Sequence, residues 1–199
     1  MTDKIPVYIL AGGKSSRFGS NKALALLGHR PLLEHVAEAL KPFASSITVV
    51  GRVDEQYQDI GYRTIGDIDP DLGPLGGLVT ALSDVQASAS SPRILLCACD
   101  QILLDPSILS KLFSAQHPDH LAIAFRDRDY WMPFPGIYDL RLLGQIKDQL
   151  QSQTRSFQFL LDQVGYAASL PDQCTPFFDC NTEDRLSELR SLHQFDRDC

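Results

Sequence analysis

The sequence predicts an α/β protein in which helices cover both faces of a mostly parallel β-sheet. Three short segments, residues 7–10, 47–50 and 93–99, are dominated by apolar or β-branched side chains and are expected to be strands. Segments with helical periodicity separate them. Strands that are apolar on both faces, alternating with helices, are typical of a parallel sheet buried between two helical layers.

The remaining elements of the first half follow in order. A helix is expected from about Pro31, a residue suited to a first helical turn, because the next apolar residues fall on one face: Leu32, Leu33, Val36, Ala37 and Leu40. Residues 62–65 form a possible third strand and residues 76–85 a helix. Asp105 and Pro106 are an N-cap and a first-turn proline, and they predict another helix start.

The pattern is looser after the apolar residues 121–125. Residues 130–136 are aromatic and contain two prolines, which argues against a simple central strand. Helices are expected at about 140–150 and 157–164, a last strand at 177–180, and a helix from near Thr182. Because no repeat or long linker interrupts the chain, we predict one domain over residues 1–199.

Composition narrows the function classes. The 199 residues carry a formal net charge of −7, which argues against broad nucleic-acid binding. The N-terminus lacks the apolar stretch of a signal peptide, and no segment has the ~20 apolar residues of a membrane span. Five cysteines without a secretion signal predict a cytoplasmic protein with reduced thiols. Cys97 and Cys99 are too closely spaced for a zinc site, so we expect them to be buried in the core.

A glycine-rich segment follows the first strand, over residues 10–22. Gly12 and Gly13 have no Cβ, so an anion can approach their backbone N–H groups closely. The segment also holds three cations suited to phosphate oxygens: Lys14, Arg17 and Lys22. The alternative is an ordinary turn with solvated cations.

Two common phosphate-binding motifs do not match this segment. A P-loop would need glycine where the chain has Tyr8, and the dinucleotide fingerprint would need it where the chain has Lys14. Leu-Ala-Gly-Gly, then Ser-x-Arg-x-Gly and a lysine, instead resembles the signature of the molybdenum cofactor guanylyltransferases. The resemblance continues in the family's order through Asp67, the stretch 73–78, Cys99-Asp100 and Asn181-Thr182, so it covers nearly the whole chain.

The resemblance implies a fold and an activity. The fold would be the Rossmann-like, three-layer α/β/α architecture of nucleotide-diphospho-sugar transferases. The activity would be Mg²⁺-dependent transfer of GMP from GTP to molybdopterin, with release of pyrophosphate. Arg17, Lys22 and Asp100 would be catalytic, with Lys22 on the phosphates and Arg17 on the departing pyrophosphate. The nucleotide would contact Leu10, Ala11, Gly12, Gly13, Lys22, Asp67, Gly76 and Asp100.

Two carboxylates need separate consideration. Asp100 ends an apolar strand, at the edge of a parallel sheet where ligands bind, and the resemblance implies that it holds Mg²⁺. From position alone it could equally be a turn residue or a helix cap. Asp67 would contact the guanosine part of GTP, although aspartates clustered in a loop are usually just solvated turn residues.

On the acceptor side, the resemblance points to Asn181, while Arg155 could help to hold the acceptor phosphate or be a surface arginine. Tyr130, Trp131 and Phe134 could line a pterin site or pack in the core. The chain departs from the family at Asn21, where aspartate is usual.

Two alternatives stay open. One is a cytidylyltransferase or a sugar-phosphate nucleotidylyltransferase. The other is a catalytically weak, nucleotide-binding homologue that docks partner proteins. Expected partners are GTP and molybdopterin, with molybdoenzymes or cofactor-biosynthesis proteins as further candidates and no nucleic acid or membrane.

Overall fold

A seven-stranded sheet lies at the centre of the computed structural model, which describes residues 3–12, 21–52, 57, 60–102, 104–152, 154–169 and 186–188. A separate two-stranded antiparallel pair consists of β2 and β3. In chain order the strands are β1 (Ile5–Leu10), β2 (Leu26–Leu27), β3 (Arg30–Pro31), β4 (Ala44–Gly51), β5 (Arg63–Gly66), β6 (Arg93–Ala98), β7 (Ala122–Asp127), β8 (Tyr130–Asp139) and β9 (Gly165–Ala168).

The large sheet has the strand order β5-β4-β1-β6-β8-β7-β9. Strands β5, β4, β1 and β6 are parallel to one another, and Tyr8 of β1 lies between Thr48 and Leu96. Strand β8 pairs antiparallel with both β6 and β7, while β7 pairs parallel with β9. Among the strands in the described part of the chain, only β8 runs against the others, and the predicted mostly parallel α/β fold is confirmed.

Helices lie on both faces of the sheet, as α1 (Leu32–Leu40), α2 (Pro74–Ser88), α3 (Pro106–Ser114), α4 (Leu142–Gln151) and α5 (Phe157–Val164). Side chains of β1 alternate between the faces. Val7 and Ile9 pack in one core with α1 and α3, whereas Tyr8 and Leu10 pack in a second core with α2, α4 and α5. The sheet is thus covered by helices on both faces, and the predicted three-layer α/β/α arrangement is confirmed.

Several local predictions are confirmed. Asp105 caps α3, since its side chain accepts a hydrogen bond from the backbone N–H of Ser107, and Pro106 is the first helical residue. Cys97 and Cys99 are buried, as expected. Residues 186–188 are helical, but the predicted strand 177–180 and the helix start near Thr182 lie outside the described residues. None of the helices in the described part of the chain is long and apolar enough to cross a membrane.

The prediction for residues 130–136 is wrong, because this segment is the first part of β8 between β6 and β7. The prolines fit because the pairing with β7 is irregular where they occur. Ile123 faces Ile137, but Phe125 already faces Met132, so Pro133 and Pro135 fall between the two regular stretches. The pairing with β6 begins only at Gly136. A strand can hold prolines where its ladder is interrupted.

Asp139 secures the far end of β8. It is 4% exposed and accepts hydrogen bonds from Arg93 Nε at 3.2 Å and from Arg141 Nε at 2.9 Å. Burial raises the pKa of Asp139, but the hydrogen bonds from the two arginines outweigh burial and hold this pKa below its usual range. Because Arg93 begins β6 and pairs with Asp139, these charges stabilise the register between the two strands.

We expect Asp139→Asn to lower the free energy of unfolding at pH 7 by about 2 kcal/mol, the scale of hydrogen bonds to a charged partner. Urea denaturation measures the loss. The folded-state pKa of Asp139 lies below the unfolded value of about 3.9, so its contribution is complete above that pH and is lost as the pH falls through the folded pKa. The difference between wild type and variant should therefore shrink only below about pH 4, and a difference that already shrinks between pH 7 and pH 5 would contradict this role.

Candidate active site

Three of the predicted site residues, Ala11, Asp67 and Asp100, lie where β1, β5 and β6 end, because parallel strands share one carboxyl edge. Backbone hydrogen bonds continue past the strand ends. Ala11 N donates to Val50 O at 2.8 Å, Cys99 N to Leu10 O at 3.0 Å, and Asp67 N to Gly51 O at 3.2 Å. The segments that carry Ala11, Gly12, Asp67 and Asp100 therefore leave the sheet side by side.

An ion pair joins two of the predicted catalytic residues. Lys22 Nζ lies 2.9 Å from Asp100 Oδ2, and the side chains are 13% and 19% exposed. Lys22 begins a short 3₁₀ helix, Lys22–Leu24, which is capped by Asn21 Oδ1 accepting from Ala23 N at 3.1 Å. Asp100 follows β6. The pair places one anionic and one cationic group together at the sheet edge, partly shielded from water.

Tyr57 connects the two ends of the glycine-rich segment. Its hydroxyl donates to Ala11 O at 3.2 Å and accepts from Asn21 Nδ2 at 2.9 Å. The side chain is fully buried, and a Cβ on Gly51 would lie 3.0 Å from its ring. Sequence reasoning missed Tyr57, which belongs to no motif and lies far from both partners in the chain.

Asp67 lies beside the start of α2. Its Oδ1 accepts from Thr80 Oγ1 at 3.0 Å and from Asp69 N at 3.3 Å. Thr80 in turn accepts from Ile68 N at 3.0 Å, so it fixes the loop to α2. Thr80 was also missed, although its place one helical turn after Gly76 was a usable signal.

Gly73 and Gly76 let α2 begin close to Asp67. Gly73 has φ +65°, a left-handed conformation that suits glycine, and Pro74 is the first helical residue. A Cβ on Gly76 would lie 2.8 Å from Leu72 Cβ and 2.9 Å from Asp69 O. The backbone at Gly76 thus occupies space that a side chain would fill.

The body of α2 is attached to the sheet by a second charged group. Asp84 accepts from Tyr8 OH at 2.7 Å and from both Nη atoms of Arg63, at 2.6 and 2.7 Å. Burial, together with the bond to Asp84, raises the pKa of Tyr8 well above its usual range. The hydrogen bonds from Arg63 lower the pKa of Asp84. These contacts hold the body of α2 against β1 and β5.

The other predicted residues are placed as follows. Arg155 is exposed, and its Nη1 donates to Asp71 O at 2.9 Å, in the turn that follows Asp67 and Asp69. Trp131 is 3% exposed and donates to Asp162 Oδ1 at 2.9 Å, which favours its packing role. Gly13, Arg17 and Asn181 lie outside the described residues.

The chemistry of Asp100 is compatible with a magnesium ion. Within the described residues, no group of three or more His, Cys, Asp or Glu side chains is placed to hold a metal. Mg²⁺ is usually held by one or two carboxylates together with substrate phosphates and water. A single carboxylate beside a lysine fits that mode and would not form a complete metal site without substrate.

A family model described as the MobA-like NTP transferase domain matches residues 7–166 of the chain. A probable molybdenum cofactor guanylyltransferase of Flavobacterium johnsoniae is 30% identical, over 94% of this chain and 97% of the relative. The molybdenum cofactor guanylyltransferase of a Haemophilus influenzae strain is 32% identical, over 94% of this chain and 98% of the relative.

Solved structures share the fold. Molybdopterin-guanine dinucleotide biosynthesis protein A from Archaeoglobus fulgidus superposes with a TM-score of 0.75 at 21% identity, covering 96% of this chain and 99% of that one. A CMP:2-keto-3-deoxy-manno-octonic acid synthetase solved with CTP has a TM-score of 0.70 at 15% identity, covering 98% and 100%. The predicted nucleotide-diphospho-sugar transferase fold is confirmed.

We expect Gly76→Ala to lower the free energy of unfolding by about 1–3 kcal/mol, because its Cβ would overlap Leu72 and the carbonyl of Asp69. Gly144→Ala in α4 is the matched control. A Cβ there meets nothing within 4 Å, so helix propensity alone should raise stability, by up to about 1 kcal/mol. Urea denaturation measures both variants, and equal effects would contradict the close approach at Gly76.

Proposed function

The chain belongs to the molybdenum cofactor guanylyltransferase family of MobA-like NTP transferases, and on this premise we propose that it transfers GMP from GTP to molybdopterin. Membership of this family makes the protein a nucleotidyltransferase. The observation that carries the proposal is the Lys22–Asp100 pair, which joins the glycine-rich segment to the end of β6 at the edge where nucleotides bind in parallel sheets.

The reaction exchanges one phosphoanhydride for another. A phosphate oxygen of molybdopterin forms a bond to the α-phosphorus of GTP, and the bond from that phosphorus to the β-phosphate oxygen breaks. The electron pair leaves with pyrophosphate. Because the acceptor oxygen is already anionic, the protein needs no nucleophilic side chain, and its task is to position the reactants and to stabilise negative charge.

Lys22 supplies charge at the phosphates. Its Nζ, which pairs with Asp100, is proposed to bind phosphate oxygens of GTP as a positive point charge. Arg17 is proposed to stabilise the departing pyrophosphate. The backbone of residues 10–13 would face the nucleotide, with the absence of a Cβ at Gly12 and Gly13 allowing a close approach.

Asp100 is the residue proposed to hold Mg²⁺. When bound, Mg²⁺ neutralises the charge that collects on the phosphate oxygens. The carboxylate also has a role of its own, since it accepts a hydrogen bond from Lys22 and so orients the amine.

Asp67 is proposed to recognise guanosine. Its Oδ1 is occupied by Thr80, and Oδ2 accepts no hydrogen bond within the described part of the chain. A carboxylate oxygen held in this way accepts from N–H donors, which guanosine carries on its base. Gly76, in the first turn of α2, lies beside Asp67.

The acceptor side is proposed to involve Asn181 and Arg155. The reaction is expected in the cytoplasm, and molybdoenzymes or other cofactor-biosynthesis proteins are the proposed recipients of the product. The buried, chemically protected positions of Cys97 and Cys99 are compatible with that compartment.

We expect Lys22→Ala and Asp100→Ala each to slow GMP transfer by at least ~100-fold, the scale of losing one electrostatic stabiliser. Transfer of radiolabelled GMP to molybdopterin measures the rate. Lys41→Ala and Asp119→Ala are matched controls, because both side chains are mostly exposed and neither is at the carboxyl edge of the sheet. Near-normal rates for Lys22→Ala or Asp100→Ala would overturn the assigned role and favour a weakly active docking protein.

We expect wild type to prefer GTP to CTP and to transfer no nucleotide to sugar phosphates. Asp67→Asn keeps an oxygen for Thr80 but replaces the second acceptor with a donor, so the KM for GTP should rise by about tenfold while any slow use of CTP stays unchanged. Asp69→Asn is the control, since Asp69 caps the next turn through Asp71 N. Equal use of GTP and CTP by wild type would remove the guanine assignment.

A further inference from the structure

A ring of contacts at the end of β1 includes four side chains, those of Tyr57, Asn21, Lys22 and Asp100. The carbonyl of Ala11 accepts from the Tyr57 hydroxyl, which in turn accepts from Asn21 Nδ2. The next residue, Lys22, pairs with Asp100 at 2.9 Å. The ring closes through the backbone, since Cys99 N donates to Leu10 O at 3.0 Å.

The ring holds both ends of the glycine-rich segment. Ala11 and Asn21, which flank residues 12–20 in the sequence, both belong to the ring. Lys22, the proposed phosphate ligand, is therefore placed relative to the end of β1 by two connections. One runs through Asp100 and β6, and the other runs through Asn21 and Tyr57.

The donor and acceptor roles of the two hydrogen bonds at Tyr57 are fixed. A tyrosine hydroxyl has a single proton, and Tyr57 gives it to Ala11 O. Residue 21 must then donate to Tyr57, which the amide of asparagine does through Nδ2. The same amide accepts from Ala23 N through Oδ1, so it caps the turn that carries Lys22. Aspartate could cap this turn but has no proton to donate when ionised.

We propose that Tyr57 is a positioning residue for the transfer reaction, and that Asn21 is its required hydrogen-bond donor. Through them the backbone at Ala11 and the amine of Lys22 are held in one arrangement. The inference rests on the proposed function, because it takes Lys22 and the adjoining backbone as the phosphate site. It adds a residue outside every motif and gives a physical reason for asparagine at position 21.

The test uses Tyr57→Phe, Asn21→Ser and the double variant in the full-length chain. Phenylalanine keeps the ring beside Gly51 and loses the hydroxyl, while serine keeps a capping oxygen and loses the amide donor. Each single variant should raise the KM for GTP by about tenfold, the scale of one buried hydrogen bond, with the KM for molybdopterin unchanged. Because both changes break the same connection, the double variant should be about as impaired as the worse single variant.

Tyr8→Phe is the matched control. It removes the hydroxyl of another buried tyrosine, which donates to Asp84 of α2, while Arg63 still binds Asp84 through both Nη atoms. Its KM for GTP should stay within about twofold of wild type. The proposal is overturned if Tyr57→Phe behaves like Tyr8→Phe, or if the effects of Tyr57→Phe and Asn21→Ser multiply to about 100-fold.

Binding of inorganic tripolyphosphate, measured by calorimetry, separates this proposal from the proposed function. If wild type binds tripolyphosphate but transfers no GMP, the proposed function fails, and the positioning role is then decided by whether Tyr57→Phe weakens tripolyphosphate binding by about tenfold. If wild type binds neither GTP nor tripolyphosphate, both proposals are overturned.

Discussion

Lys22 and Asp100 are 78 residues apart in the chain, and the 2.9 Å contact between them exists because β1 and β6 are neighbours in the sheet. The contact is partly buried, so each charge has lost some of its water and depends on the other. A sheet with another strand order would not bring these two groups together. Fold and site are thus linked by one constraint, which is that the ends of β1 and β6 leave the same edge side by side.

The antiparallel strand β8 supports that edge from the other side of β6. Gln101, next to Asp100, is 4% exposed, and its Nε2 donates to Phe134 O of β8 at 2.5 Å. Its Oε1 accepts from Cys97 Sγ at 3.1 Å. At the opposite end of the same pairing, Asp139 binds Arg93. The turn that presents Asp100 is therefore fixed to two strands, which limits how far the carboxylate can move.

The sequence was informative where a signal is local. Apolar runs predicted β1 and β6, and the glycine-rich signature of residues 10–22, followed in order by Asp67, Asp100 and Asn181, carried the family resemblance. It failed where structure depends on distant partners. The prolines of β8 are acceptable only because β7 pairs irregularly with it, and β9 contains no β-branched residue that would predict a strand. Tyr57 could not be found, since its role comes from bonds to residues 36 and 46 positions away.

The arrangement has a consequence for how substrate binds under the proposed function. Lys22 and Asp100 are already in place, so much of the entropy lost in ordering them is lost on folding and not on binding. A phosphate that takes Asp100's place as partner of Lys22 leaves the carboxylate with an unbalanced negative charge. That charge favours a cation at Asp100 once nucleotide is bound, and by linkage a cation at Asp100 favours nucleotide at Lys22. One ion pair can thus couple the affinities for nucleotide and metal without any movement of the sheet.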